Sequence, residues 1–284
     1  MKKKIGIVIL ATMMATLVAC GNESKTGSNE ISTVAANNET ENNTQENTTE
    51  ETQESNNDEL SDEYLLSLAE TAADQFYYKE LDDGTIMIKG YEGESNEDTI
   101  IVVPAQIDGK DVTRIYETAF KSELAKAIVT GKNVNMIEGE AFLNANVQKI
   151  VINGPVTKLE ENTFMLATIG EISFGNKLEE IGMKAFSNCQ IKTIKIPSTV
   201  KLIDQGAFAM TSLEEVYFEG GELTICELAL GSCKSLKKVY IPDCRITFDG
   251  DVFYLSDGVT IVTPSGSAAE QYAKDNGISF EALD

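Results

Sequence analysis

Apolar residues recur through the middle of this chain with a period of 22 positions. Three series keep the step: an aromatic or leucine position, an apolar position five residues before it, and another eight residues after it. They are Phe120, Phe142, Phe164, Phe186, Phe208 and Leu230; Ile115, Ile137, Leu159, Ile181, Ile203 and Ile225; and Ile128, Ile150, Ile172, Ile194 and Val216, with Val239 one residue late. This pattern predicts a solenoid, because a unit so short buries its apolar face only against copies of itself.

Each unit predicts one short strand, a second strand or turn, and a tight corner. The alternation Ile194-Lys195-Ile196 directs two side chains inward and one outward. Val200 and Ile203 then point inward from the opposite side. The residue before the aromatic is alanine in every unit except one, which has Thr163, and a small residue allows a close corner where rings of successive coils stack. We expect a mainly β solenoid of about seven coils of 22–23 residues over residues 112–262.

The segment before the repeat, residues 75–111, predicts a β cap. Two runs of β-forming residues flank Asp82-Asp83-Gly84, which is typical of a hairpin turn. Thr99–Pro104 predicts a third strand that ends at the proline. An uncapped solenoid end would offer an unpaired edge to other chains, so a cap is expected here.

The segment after the repeat, residues 263–284, predicts a second cap. Ser267 and Glu270 form a capping box for a helix from about Ala268 to Asp275, and Gly277 is placed to end it. We expect Ala269, Tyr272 and Ala273 to face the last coil, and Ile278 and Phe280 to add an edge strand.

The N-terminal part divides into three segments. Residues 1–19, with three lysines before a short apolar run, predict a signal peptide, and Leu17-Val18-Ala19-Cys20 resembles the lipobox of bacterial lipoproteins. That resemblance implies a lipid on Cys20, which becomes the mature N-terminus anchored to a membrane. Residues 20–59 are rich in Asn, Glu and Thr and predict a disordered tether. Residues 60–74, with Ser61 as the cap, predict a short helix.

Composition restricts the chemistry. The net charge is −23, and −26 without the three lysines of the leader, so we expect no binding to nucleic acid. The chain has no histidine, which removes the commonest general base and metal ligand. It also lacks a phosphate-binding glycine loop and the zinc and calcium motifs, so we expect no cofactor, no metal and no enzymatic activity. A hydrolase that uses two carboxylates is a distant alternative.

Four cysteines follow Cys20, and an even number in an exported protein admits disulfides. Cys189 and Cys233 occupy the same repeat position two coils apart, about 10 Å at the strand spacing, which is too far for a bridge. Cys226 and Cys244 lie in neighbouring coils but out of register. We interpret Cys189 and Cys233 as small buried residues, and a disulfide among the four stays open.

The repeat resembles a known family. Its motif of Ile-x-x-x-Ala-Phe followed by a strand that often ends at proline is similar to the BspA-type leucine-rich repeat of bacterial surface proteins. The lead-in Ile107–Ile115 and the ending Thr260–Ala273 are similar too, whereas Thr163, Leu230 and the longer sixth coil depart from the motif. The resemblance implies display at the cell surface and adhesion to a host matrix or plasma protein.

Two functions compete. In the first, the protein is a monomeric, lipid-anchored module at the cell surface that presents a repeat face to a protein or glycan. In the second, it is a scaffold inside the envelope that binds other envelope components. The tether has a relaxed span of about 35 Å and a stretched limit near 130 Å, which does not clearly carry the solenoid beyond a thick wall.

Outward strand positions predict where a ligand binds. The early ones, such as Val129 and Val151, have neither an aromatic ring nor a charge, whereas the later ones bring together tyrosines and charged side chains. Tyrosine is enriched at binding surfaces because it offers a large contact area with a polar tip. The predicted ligand-binding residues are Lys195, Tyr217, Tyr240, Lys238 and Glu215. The alternative is that Tyr217 and Tyr240 form an ordinary cross-strand pair that shields the sheet.

Overall fold

The structure is a computed structural model that describes residues 58–283. The predicted signal peptide, the predicted lipid on Cys20 and most of the predicted tether lie outside the described residues and stay predictions. The described chain begins with a 3-10 helix at Asp58–Leu60, which spans the end of the predicted tether and the first residue of the predicted helix.

Helix α1 spans Asp62–Ser67, which is shorter than the predicted 60–74. Its N-cap is Ser61, as expected, and the Ser61 hydroxyl accepts a hydrogen bond from the Tyr64 N–H at 3.2 Å. The helix ends early because the backbone becomes extended at Leu68. The chain then runs beside the strand that contains Val102, and the Thr71 N–H donates to the Val102 carbonyl at 2.9 Å. A second 3-10 helix, Ala73–Gln75, leads into the first strand.

Nineteen strands and one further helix follow in the described chain. The strands are β1 (Phe76–Glu80), β2 (Ile86–Tyr91), β3 (Ile100–Val102), β4 (Gln106–Ile107), β5 (Lys110–Ile115), β6 (Leu124–Val129), β7 (Met136–Ile137), β8 (Asn146–Val151), β9 (Lys158–Leu159), β10 (Thr168–Ser173), β11 (Glu180–Ile181), β12 (Thr193–Ile196), β13 (Leu202–Ile203), β14 (Glu215–Phe218), β15 (Glu222–Ile225), β16 (Lys238–Tyr240), β17 (Arg245–Phe248), β18 (Thr260–Thr263) and β19 (Ser279–Ala282). Helix α2 spans Ala268–Asp275.

The strands form two ladders. In the first ladder β2, β5, β7, β9, β11, β13, β15 and β17 lie side by side in parallel, with β1 and β4 added antiparallel to β2 and β5. The second ladder has two parallel sections, β3-β6-β8-β10 and β12-β14-β16-β18-β19. The result is a mainly β solenoid of about nine turns, because β3 and β19 add a turn on either side of the predicted seven coils.

A column of stacked rings forms the centre of the core, as the repeat predicts. The five phenylalanines of the column are at most 1 % exposed, and Leu230 continues it. Successive ring centroids lie 4.9–5.1 Å apart with interplanar angles of 16–23°. Thr163, which replaces alanine in one coil, is also buried, and its hydroxyl donates to the Glu160 carbonyl at 2.8 Å.

Each corner has left-handed backbone on both sides of the phenylalanine. Residues two before and two after the column position have φ between 54° and 65° in every coil from the first to the sixth. They are Thr118, Glu140, Asn162, Lys184, Gly206 and Leu228, and Ser122, Asn144, Leu166, Asn188, Met210 and Ser232. The corner backbone also bonds between coils, since the Phe142 N–H donates to the Thr163 carbonyl at 2.9 Å. The sequence does not predict this left-handed backbone, because only Gly206 among the twelve is a glycine, the residue that adopts a positive φ most readily.

Both caps are present. At the first end, β1 and β2 form the predicted hairpin around Gly84, which has a φ of 81°. At the other end, Ala269 and Ala273 of α2 are fully buried, and the Tyr272 ring stacks on Phe248 with centroids 4.0 Å apart. The Ser267 hydroxyl accepts from the Glu270 N–H at 3.1 Å, and β19 extends the second ladder beyond β18.

The four cysteines within the described residues are free, so the disulfide alternative is not realised. Cys189 and Cys233 are buried, as interpreted from the repeat. Burial raises the pKa of the Cys189 thiol to about 12, because the interior disfavours the thiolate. These two cysteines therefore act as small core residues.

Replacement of Phe186 by alanine tests the column, because the Phe186 ring contacts both Phe164 and Phe208. We expect the free energy of unfolding in urea to fall by about 3–5 kcal/mol. Phe186→Leu should cost less than about 1.5 kcal/mol, since Leu230 fills the same position in a later coil. Leu166→Ala at an exposed corner is the control, and an equal loss for Phe186→Ala and Leu166→Ala would contradict the column's role.

Candidate binding face on the second ladder

The second ladder directs side chains away from the core in two rows that follow its register. One row is Val102, Val129, Val151, Ser173, Lys195, Tyr217 and Tyr240, and the other is Ile100, Ala127, Lys149, Glu171, Thr193, Glu215 and Lys238. We call this surface the outer face. The five predicted ligand-binding residues lie together on its later half, in β12, β14 and β16.

Helix α1 covers the early half of the outer face. Leu65 of α1 is fully buried in a small apolar cluster that is separate from the main core. The cluster consists of Leu65, Val102, Ala127, Val129 and Val151. Val129 and Val151 point away from the main core, as predicted, and α1 packs on their side chains, which the sequence analysis did not predict.

Polar contacts fix the start of α1 at the middle of the outer face. The Lys149 side chain is only 4 % exposed, and its ammonium pairs with Asp62 at 2.9 Å and with Glu171. Asp62 also accepts a hydrogen bond from the Ser173 hydroxyl at 2.9 Å. A further ion pair joins Lys126 to Glu59 at 2.6 Å. Because one ammonium faces two carboxylates, this boundary between the covered and open halves is slightly acidic.

The open half is built around two stacked tyrosines. The rings of Tyr217 and Tyr240 lie 4.4 Å apart between centroids, with an interplanar angle of 3°. The Tyr217 hydroxyl donates to the Glu215 carboxylate, and this hydrogen bond raises the pKa of Tyr217 above its usual value. Both contacts hold the Tyr217 ring in one orientation, so it offers a flat and ordered contact surface.

The two predicted lysines differ in their surroundings. Lys238 donates to Glu281 of β19 at 2.8 Å, which raises the pKa of its ammonium. Lys195 is exposed beside Tyr217 and has no ion-pair partner within residues 58–283. Lys238 is thus attached to the cap, whereas Lys195 is available to a ligand.

The second ladder is interrupted between β10 and β12. A single bridge joins Thr168 to Gln190, and beyond it no backbone hydrogen bond connects the two strands in the described chain. The Ile152 N–H donates to the Ser173 carbonyl of the next coil at 2.9 Å, but the Phe174 N–H, at the equivalent position, has no backbone acceptor among the described residues. The two coils therefore separate after Gln190.

The interruption lies where the coil geometry changes. Strands β6, β8 and β10 have six residues each, whereas β12 and β14 have four and β16 has three. The equivalent position holds Thr130, Ile152, Ile196 and Phe218 in other coils, and here it holds Phe174. Its ring meets Phe186 edge-on at 6.3 Å, and this larger side chain is only half-buried.

The separation opens a cleft of about 1050 Å³, which we call the ladder cleft. It is bounded by the start of α1, by β10 and β12 with the loops that follow them, and by Tyr217 of β14. Two of the predicted ligand-binding residues, Lys195 and Tyr217, line it, whereas Tyr240, Lys238 and Glu215 lie on the outer face beyond it. Lys195 and Tyr217 thus form part of the rim of the cleft.

Sequence reasoning missed the remaining polar residues that line this cleft. Asp62, Ser173, Asn176, Thr199 and Glu219 line it, and none of them stands out from the repeat. The Phe174 position itself carried no signal, because it also varies in other coils, where it holds Thr130, Ile152 and Phe218. One available signal was the pair of outward valines, Val129 and Val151. Apolar side chains on the outside of adjacent coils indicate that another segment of the chain packs on them.

The described residues offer neither a metal-binding cluster nor a membrane-spanning helix. Residues 58–283 contain no cluster of three or more His, Cys, Asp or Glu side chains arranged to hold a metal ion. No helix in the described part of the chain has the length and apolarity needed to cross a membrane.

The chain is similar to several known proteins. A family model described as "BspA type Leucine rich repeat region" matches residues 105–169 and 135–261 in six copies. A search of curated protein sequences gives no match. Among solved structures, a leucine-rich repeat protein of T. pallidum aligns with a TM-score of 0.53 and 23 % identity, over 75 % of this chain and 98 % of that one.

Two other structures are less similar. A leucine-rich cell surface protein from Faecalibacterium prausnitzii has a TM-score of 0.47 and 20 % identity, over 69 % of this chain and 55 % of that one. A leucine-rich repeat protein from Bacteroides ovatus has a TM-score of 0.41 and 17 % identity, over 76 % and 77 % of the two chains. Since the family model spans more than half of the chain and the solenoid repeats its motif, the protein belongs to the BspA-type leucine-rich repeat family.

Proposed function

We propose that this protein is a lipid-anchored binding module at the bacterial cell surface, and that the open half of its outer face binds a protein or glycan. The arrangement of Tyr217 and Tyr240 is the observation that carries the proposal. Their rings are stacked in parallel, and only part of their surface is covered by the chain. Ordered aromatic surface of this kind contributes much of the affinity at binding sites, because little entropy is lost when a ligand docks on it.

The position of α1 on the outer face also favours the open half as the binding region. Helix α1 occupies the early half, which leaves β12, β14 and β16 as the accessible section. Helix α2 supports a monomer, because Ala269 and Ala273 pack on the last coil and cover apolar surface that a second copy would otherwise bury.

Membership of the BspA-type family supports a binding role, and no cofactor or metal is part of the proposal. The hydrolase alternative is disfavoured by the surroundings of the cleft carboxylates. Asp62 and Glu171 both contact the Lys149 ammonium, so each of these two carboxylates already has an ion-pair partner.

Display at the surface rests on the predicted signal peptide, on the lipobox-like Leu17–Cys20 and on the family's association with bacterial surfaces. The main alternative is a scaffold within the envelope. This alternative uses the same outer face but a different partner, such as another lipoprotein or a wall polymer.

The double variant Tyr217→Ala with Tyr240→Ala tests the binding face. We expect capture from a panel of matrix proteins, plasma proteins and glycans to fall at least about tenfold, because the aromatic contact area is lost. The melting temperature should fall by less than about 5 °C, since the pair lies at the surface. Tyr254→Ala, which removes an exposed tyrosine elsewhere, is the control. Unchanged capture by the double variant would place the binding face elsewhere.

Protease treatment of intact cells separates the surface module from the internal scaffold. We expect added trypsin to cleave the solenoid of the wild-type protein without cell lysis. Cys20→Ser should release the protein from the membrane fraction, because the lipid is attached through that thiol. Protection of the wild type until the cells are broken would contradict surface display and favour the scaffold.

A further inference from the structure

The ladder cleft is a wedge that is closed at one end. The Thr168–Gln190 bridge keeps the two coils at ladder spacing there, and the strands separate from that point on. Backbone groups that bond between coils elsewhere in the ladder therefore face the cleft without a partner strand. The Phe174 N–H is one of them. An interrupted ladder inside a solenoid leaves donors and acceptors that a polar ligand can engage.

A buried hydroxyl lies in the same cleft. The Oγ1 atom of Thr199 is inaccessible to solvent and has no hydrogen-bond partner among the described residues. Thr199 lines the cleft together with the exposed side chains of Asn176, Ser198 and Glu219. An unpartnered buried hydroxyl is costly, and a hydroxylated ligand in the cleft pairs with it once the Thr199 side chain rotates about χ1 towards the cleft that the residue lines.

The cleft also contains an aromatic platform. One face of the Tyr217 ring is occupied by Tyr240, and Tyr217 but not Tyr240 lines the cleft. The other face of Tyr217 therefore points towards the β12 side, where Lys195 is its neighbour in register. A ring with one face buried and its hydroxyl anchored to Glu215 is suited to stacking against the apolar face of a sugar.

The charges in the cleft disfavour an anionic ligand. Its lining includes the carboxylates of Asp62, Glu171 and Glu219 and the ammonium groups of Lys149 and Lys195. Lys149 is already paired with two of those carboxylates, and the chain as a whole carries a net charge of −23. A sialylated, sulfated or phosphate-bearing ligand would meet repulsion here, whereas a neutral one would not.

We propose that the ladder cleft binds a short, neutral oligosaccharide, with Tyr217 as the stacking platform and Thr199 and the unpaired β10 and β12 edges as hydrogen-bonding partners. This inference rests on the proposed function and names its ligand class and its site. The cleft volume of about 1050 Å³ suits a few sugar rings.

The closed end favours a sugar over an inserted peptide strand. A strand added between β10 and β12 would require them to lie about 9–10 Å apart along its whole length, twice the usual strand spacing. The bridge at Gln190 prevents this spacing at one end, and Pro197 lacks the N–H that would continue the pairing beyond β12. A compact ligand that enters the open end has neither restriction.

Two variants test the site through different readouts. Thr199→Val keeps the side-chain shape and removes a hydroxyl without a protein partner, so we expect unchanged or higher thermal stability but roughly three- to tenfold weaker sugar binding. Tyr217→Ala should weaken binding at least about tenfold. Tyr254→Ala, which removes an exposed tyrosine outside the cleft, should leave binding unchanged. The probes are a printed array of neutral, sialylated and uronic-acid oligosaccharides, followed by calorimetric titration of the strongest hit into the purified protein.

Selective binding of neutral sugars that both cleft variants weaken and the control does not would support the proposal. Neutral sugar binding that Tyr217→Ala and Thr199→Val leave unchanged would overturn the site, and preference for acidic sugars would overturn the ligand class. Capture of a protein in place of any sugar, lost in the Tyr217→Ala with Tyr240→Ala double variant, would overturn this inference while the proposed function stands. If neither sugars nor proteins are captured, both proposals fail.

Discussion

The structure depends on contacts between successive coils, since a single coil of 22 residues buries almost nothing by itself. Three sets of contacts join successive coils: the two strand ladders, of which the second is interrupted between β10 and β12, the ring column and the hydrogen bonds at the corners. Because all three repeat at the same interval, a residue at one position has the corresponding residues of the next coil as its neighbours. The core is therefore uniform, and any departure from uniformity appears on the surface or at a junction between coils.

Two such departures define the candidate site. The outward valines of the early coils are covered by α1, which contributes Leu65 to the cluster and Asp62 to the ion pair with Lys149. The later coils carry Lys195, Tyr217 and Tyr240 in the same row and remain open. The interrupted ladder lies between these halves, so the cleft, the start of α1 and the tyrosine platform meet in one region. A repeat protein thus acquires a distinct site through a local break in its own regularity.

Periodicity made the solenoid, the phenylalanine column and the second strand of each coil predictable. Helix α2 was predictable from its local cap, Ser267. Alternation also placed Tyr217 and Tyr240 correctly as outward neighbours. The cover over the early outward valines was not predicted, because periodicity describes the repeat alone and not the segment that packs on it. The cleft escaped prediction for a related reason: it arises where β10 and β12 fail to pair, and a pattern that is continuous in sequence carries no direct sign of a missing hydrogen bond.

Residue-resolved amide hydrogen exchange tests the interruption most directly. The N–H groups of Thr130 and Ile152 donate to carbonyls of the next coil at 2.9 Å, whereas the equivalent Phe174 N–H has no backbone acceptor in the described chain. We expect the Phe174 amide to exchange at least about a hundredfold faster than those of Thr130 and Ile152, because it opens without breaking a ladder bond. Equal protection of the three amides would mean that the second ladder is continuous and would contradict the cleft.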